Sequence, residues 1–156
     1  MFCIDSHILD ELTEKAKASP RLRMNRNFHP SNESKCHRLL NAIEPDSYIP
    51  PHRHLDPEKD ETFVLLRGKL GVISFNDNGE ITGIALLVAG TDDSVVTLPS
   101  SGYHTAVSLA SGTIFFETKA GPYSPYSEAE KAGWAPEEGS CYVTPYLHRL
   151  CALFNS

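Results

Sequence analysis

The chain has 156 residues, 40% hydrophobic and 22% charged, which fits one folded domain around one core. A net charge of −6 argues against a nucleic-acid footprint, and no apolar run approaches the ~18 residues that span a membrane. Met1-Phe2-Cys3-Ile4-Asp5 lacks the basic and apolar stretches of a signal peptide, so a cytoplasmic protein is expected.

Residues 5–18 predict a helix capped by Asp5 or Ser6, with Ile8, Leu9, Leu12 and Ala16 at helical spacing. Ser19-Pro20 stops it. Residues 21–29, if extended, put Arg23, Asn25, Asn27 and His29 on one face and Met24, Arg26 and Phe28 on the other. Both faces carry polar residues. The stretch is therefore a solvated edge strand or a polar row lining a cavity. His37 to Ile43 reads as a strand, and Glu44-Pro45-Asp46-Ser47 as a turn. Residues 47–54 are extended, with Pro50 and Pro51 suiting an edge or bulge. Strands follow at 61–67 and 69–76 around Gly68, and Asn76-Asp77-Asn78-Gly79 is a hairpin signal. Further strands are expected at 81–88, 95–98, 103–109 and 113–119. About eight short strands separated by turns predict a sandwich or barrel. Residues 120–139 read as a long loop, with a helical turn near 128–132 and the only tryptophan, Trp134. Ser140 is expected to cap a last helix over 140–156. Its stripe of Val143, Tyr146, Leu147, Leu150, Cys151 and Phe154 suits core packing or a dimer contact. Cys3, Cys36, Cys141 and Cys151 lack CxxC spacing and read as reduced, mostly buried thiols.

The chemistry concentrates in residues 51–68. On an extended segment His52 and His54 project together, with Arg53 opposite. Glu61, Phe63 and Leu65 share one face of the next strand, and His104 offers a third imidazole. A lone histidine is usually structural, but His52, His54, Glu61 and His104 together suit one divalent transition metal. Iron, zinc, manganese, nickel and cobalt all fit such ligands. Glu117 and Lys119 alternate on the last strand and can both face the interior, and Tyr123 can offer a hydroxyl at its mouth. Arg23 presents a fork matched to carboxylate or phosphate oxygens, and the asparagines suit hydroxyls. The candidate substrate-binding set is therefore Arg23, Asn25, Asn27, His29, Lys119 and Tyr123, for an anionic, hydroxylated small molecule.

The run from Pro51 to Gly68 resembles the first motif of the cupin superfamily: His-x-His, a loop, Glu, six residues, Gly. The six residues between His54 and Glu61 lengthen the usual loop. Pro99-Ser100-Ser101-Gly102-Tyr103-His104 resembles the second motif with its glycine moved one place, and Ser108 stands where an asparagine is frequent. More narrowly, Arg23-Met24-Asn25-Arg26-Asn27-Phe28-His29, Arg38-Leu39-Leu40-Asn41, Lys59-Asp60-Glu61-Thr62-Phe63 and Gly121-Pro122-Tyr123 resemble the WbuC-type cupin-fold metalloproteins. The resemblance implies a cupin-like double-stranded β-helix, a jelly-roll barrel over 21–119, with a helix at each end. It also implies a link to bacterial surface-polysaccharide genes. A metal-dependent enzyme acting on a small sugar-derived metabolite is the first functional expectation. A non-catalytic, metal-dependent metabolite-binding module is the second. Isomerisation, epimerisation and dioxygenation are open. The expected partners are a small-molecule ligand and a second copy of the chain, with neither nucleic acid nor membrane.

Overall fold

A computed structural model describes residues 1–155. Helix α1 (Ser6–Ala18) comes first, then strands β1 (Arg23–Asn27), β2 (Cys36–Ile43), β3 (Glu61–Arg67), β4 (Lys69–Phe75), β5 (Ile81–Val88), β6 (Val95–Leu98), β7 (Tyr103–Ser108) and β8 (Thr113–Ala120). A single 3₁₀ turn (Glu128–Glu130) interrupts the long loop before helix α2 (Val143–Ala152). The strands form a five-stranded sheet in the order β1-β2-β8-β3-β6 and a three-stranded sheet in the order β5-β4-β7. The strand pairings are antiparallel. This is the expected jelly-roll arrangement of two sheets with a helix at each end.

Three apolar layers hold it. Between the sheets, Ile43, Phe63, Leu65, Leu70, Val72, Ala106 and Phe115 pack together. Outside the larger sheet, Ile8, Leu12 and Ala16 of α1 cover Leu40, Ala42 and Ile114. Asp5 starts that helix by accepting a 3.1 Å bond from the Ile8 N–H, as its sequence predicts. Outside the smaller sheet, Leu147 and Leu150 of α2 cover Ile73, Phe75 and Val107. Phe154 lies so close to Gly71 that a Cβ there would sit 2.3 Å from its ring. The stripe on α2 thus packs on the core, with Leu147 and Leu150 buried and Val143, Tyr146, Cys151 and Phe154 partly so.

Several expectations are corrected. Helix α2 begins at Val143 behind Tyr142, and Ser140 makes no cap: its buried hydroxyl has no partner. The expected end of that helix, Ser156, lies outside the described residues. Cys3, Cys36 and Cys141 are exposed and only Cys151 is partly buried, because none of the first three falls on an inward face. Residues 47–54 agree with the expectation of an edge segment: they form no ladder of their own, since Pro50 and Pro51 donate no bonds. One residue, His52, nonetheless bridges to His104 on one side and Lys131 on the other. These two rungs extend the smaller sheet past β7 and carry the long loop across the open flank of the sandwich.

Candidate metal centre

The inward faces of the strands change character along their length. On β3 they run Leu65, Phe63, Glu61, and on β8 Phe115, Glu117, Lys119. Apolar packing thus gives way to charge at one end of the interior. His104 enters there from β7, every residue of which is buried. The His52 rung, with N–H···O bonds of 3.1 and 2.9 Å to and from His104, brings the second imidazole alongside. His54 follows, seated by its N–H on Ser100 O at 2.7 Å. Arg53 points the other way, its guanidinium 4.4 Å above the Tyr103 ring.

His52, His54 and Glu61 offer ligand atoms that all lie within 4.8 Å of one another. Glu61 accepts at 2.9 Å from His54 Nε2 through Oε1, and its Oε2 lies 2.9 Å from His104 Nε2. His52 and His104 have ring centres 4.7 Å apart. The second nitrogen of each decides their tautomers. His52 Nδ1 is 3.0 Å from Pro50 O, and His104 Nδ1 is 3.0 Å from Gly102 O. A carbonyl only accepts, so both Nδ1 atoms carry a proton, which leaves each Nε2 as the nitrogen that can ligate. Imidazoles whose far nitrogen is tied to a carbonyl are the usual ligands of a metal, and the donor set fits one. Burial, together with the neighbouring His104, pushes His52 down to about 3, so its ring is neutral and free to ligate.

Lys119 completes the cluster. Its Nζ lies 2.7 Å from Glu61 Oε1 and 2.8 Å from Glu117 Oε1, and Asn41 Nδ2 holds the other Glu117 oxygen at 2.6 Å. Burial opposes the Lys119 charge, but Glu117 and Glu61 overcome it and push the ammonium well up. Burial likewise raises Glu61, yet His104, His54 and Lys119 win and hold it well below the usual carboxylate range. Burial raises Glu117 above that range against the pull of Lys119. Tyr126, from the long loop, lays its ring 4.5 Å from that of His52. Burial pushes its hydroxyl up as well, so it stays neutral.

A cavity of about 930 Å³ runs inward from this cluster, lined at one end by His52, Glu61, His104 and Lys119 and at the other by Arg21, Arg23 and Glu138. Its size falls in the range of small-molecule sites. A scan against family models matches residues 4–87 to a family described as "Domain of unknown function (DUF6016)", more than half of the chain. The chain belongs to that family. No curated protein matches it. Among solved structures, KdgF from Halomonas sp. superposes with a TM-score of 0.52 at 14% identity, covering 68% of this chain and 84% of that one. A conserved protein of unknown function from Streptococcus pyogenes gives 0.51 at 8% identity, covering 68% and 80%. A cupin superfamily protein from Desulfitobacterium hafniense gives 0.50 at 10% identity, covering 63% and 76%. At such identities the likeness is one of fold, and the fold is that of the cupins.

Of the proposed substrate residues, Arg23, Asn25 and Lys119 line the cavity. Asn27 is exposed and accepts a 2.9 Å bond from Asn25. His29 lies past the end of β1, stacked 3.9 Å from His37 and bonded to the Arg38 backbone, so it does not line the cavity. Tyr123 is exposed and borders a small side cleft with His37, His54, Lys59 and Tyr126. Sequence reasoning missed Tyr126, Arg21 and Glu138. Tyr126 and Glu138 sit in a loop without periodicity, and Arg21 precedes its strand, so no pattern marks them.

Proposed function

We propose that this cupin is a metal-dependent enzyme of the WbuC type, holding one divalent transition metal on His52, His54, Glu61 and His104. Its substrate in this reading is a small, hydroxylated, anionic sugar derivative of surface-polysaccharide metabolism in the cytoplasm. The observation that carries it is the pair of imidazoles, His52 and His104, whose Nδ1 protons are spent on Pro50 O and Gly102 O, which leaves each Nε2 to ligate, gathered with His54 around Glu61. A bound metal would polarise an oxygen of the substrate. Lys119 then binds a substrate oxyanion beside it, held in place by Glu117 and Asn41. Tyr126 shields the cluster from water, and Arg23 and Asn25 bind the far end of the molecule.

A second reading, a non-catalytic module that captures a metabolite, has an observation of its own. Lys119 is pushed up and Glu61 held down, so both stay charged near neutral pH and neither can shuttle a proton. Metal analysis of protein purified without chelators, followed by a metabolite screen with oxygen uptake, tests both. A bound metal with turnover supports the enzyme, and tight binding without turnover supports the module. Protein with no metal, and none taken up on addition, overturns both. The proposed assembly is a homodimer through the face carrying exposed Ile81, Ile84, Leu86 and Val95.

A further inference from the structure

The end of the cavity away from the histidines carries two guanidiniums that share one carboxylate. Arg21 Nε and Nη2 hold Glu138 Oε1 and Oε2 at 2.9 and 2.7 Å. Arg23 Nη2 holds Oε1 at 2.8 Å, and its Nη1 donates to Tyr48 O at 2.8 Å. The Arg23 side chain is only 16% exposed. All three residues line the cavity. Arg23 pairs with Ile43, which pairs with Thr113, six residues before Lys119 on β8. At about 3.4 Å per residue, the two positive groups are rooted about 20 Å apart along the strands.

Two guanidiniums share the one Glu138 carboxylate and so carry one positive charge more than it neutralises, with Arg23 largely buried and Arg21 reaching solvent. The carboxylate is within reach of an incoming ligand, the Glu138 side chain being 35% exposed. Glu138 is followed by Gly139 at φ 87, with nothing within 4 Å of where a Cβ would stand. Tyr48 donates to Pro136 O at 2.8 Å, an anchor of the loop separate from the Glu138 contacts.

We propose that Arg21 and Arg23 form an oxyanion-binding site for a carboxylate or phosphate group, and that Glu138 occupies it until such a ligand displaces it. The site sits where β1, the free edge of the larger sheet, meets the loop that continues the smaller one, so an incoming anion exchanges one salt link for another without opening the barrel. The inference rests on reading the cavity as a ligand site and is independent of the metal.

The test is calorimetric titration of the full chain with inorganic phosphate, and separately with malonate, at low ionic strength with chloride as control. A resident group that fills the site nine-tenths of the time weakens apparent affinity about tenfold. Glu138→Gln is therefore expected to bind at least one probe about tenfold more tightly than the parent, and Arg21→Ala placed on Glu138→Gln to abolish that gain. A gain with malonate alone marks a carboxylate site, and with phosphate alone a phosphate site. Both outcomes support the inference. Arg21 is the safer arginine to remove, because its side chain is 61% exposed and makes no bond to Tyr48. No gain in Glu138→Gln with either probe overturns the inference. So does a gain that survives both Arg21→Ala and Arg23→Ala in variants whose circular dichroism shows them folded. Metal content, measured on the same samples, separates the two readings. The gain without metal leaves this site standing and removes the metal centre, and metal without the gain does the reverse.

Discussion

At the scale of single residues, the cluster is governed by who satisfies Glu61. Changing His52, His54 or His104 to Ala removes one inner-sphere bond each and is expected to cut metal affinity at least about tenfold. Elemental analysis showing full occupancy in all three would dismiss the assignment. Lys119 gives a subtler prediction. With no metal bound, its ammonium is the cation between Glu61 and Glu117. Lys119→Met should therefore lower the melting temperature of metal-stripped protein more than that of metal-loaded protein, because the metal replaces the lost charge. Equal losses in the two states would contradict this. Glu130 supplies a pH prediction. The Ser127 N–H holds it down most, burial opposes that, and the Leu55 N–H adds to it, taking it from 4.5 to about 2. A depressed carboxylate stabilises the fold above its unfolded pKa and loses that contribution as pH falls through the folded one. The attachment of the loop to residues 53–55 should weaken between pH 4.5 and 2. Glu130→Gln should flatten that part of the stability profile, and an unchanged acid limb would refute the role.

At the scale of elements, helix α2 and the turn at Gly68 carry the clearest tests. Leu150 is 4% exposed beneath α2. Leu150→Ala is expected to cost about 2–5 kcal/mol in denaturant unfolding, as buried leucines do. Because the α2 stripe serves the core, the same variant should keep its mass in solution. A change of mass without loss of stability would return the helix to the role of a dimer contact. Gly68 joins the two sheets at φ 78, and a Cβ there would lie 2.9 Å from the Thr113 Cα. Gly68→Ala combines left-handed strain with a backbone clash, so a loss of about 1–3 kcal/mol is expected.

At the scale of the whole molecule, the exposed strand β5 is the open question of assembly. It pairs only with β4, carries no charged residue from Ile81 to Val88, and exposes Ile81, Ile84 and Leu86. Natural edge strands usually guard themselves with charge or proline. Light scattering is expected to give a dimer mass that falls to the monomer's in Ile84→Lys. A monomer mass for the parent at micromolar concentration would remove the homodimer.

The sequence by itself determined the strands, their turns and the metal candidates. Each depends on short-range pattern: alternation in β3 and β8, Asn-Gly at the hairpin, and two histidines one residue apart. Such patterns survive because strand geometry maps neighbours in sequence onto faces in space. Tertiary structure alone decided which of the polar row, Arg23 to His29, meets the cavity, since that row runs past the end of β1 and its last member stacks on His37 instead. It also brought Tyr126 to His52 and Glu138 to the arginines, contacts between a patternless loop and strands far away in the chain. The same packing turned the α2 stripe inward, because the smaller sheet has an apolar outer face that the helix and the long loop cover together.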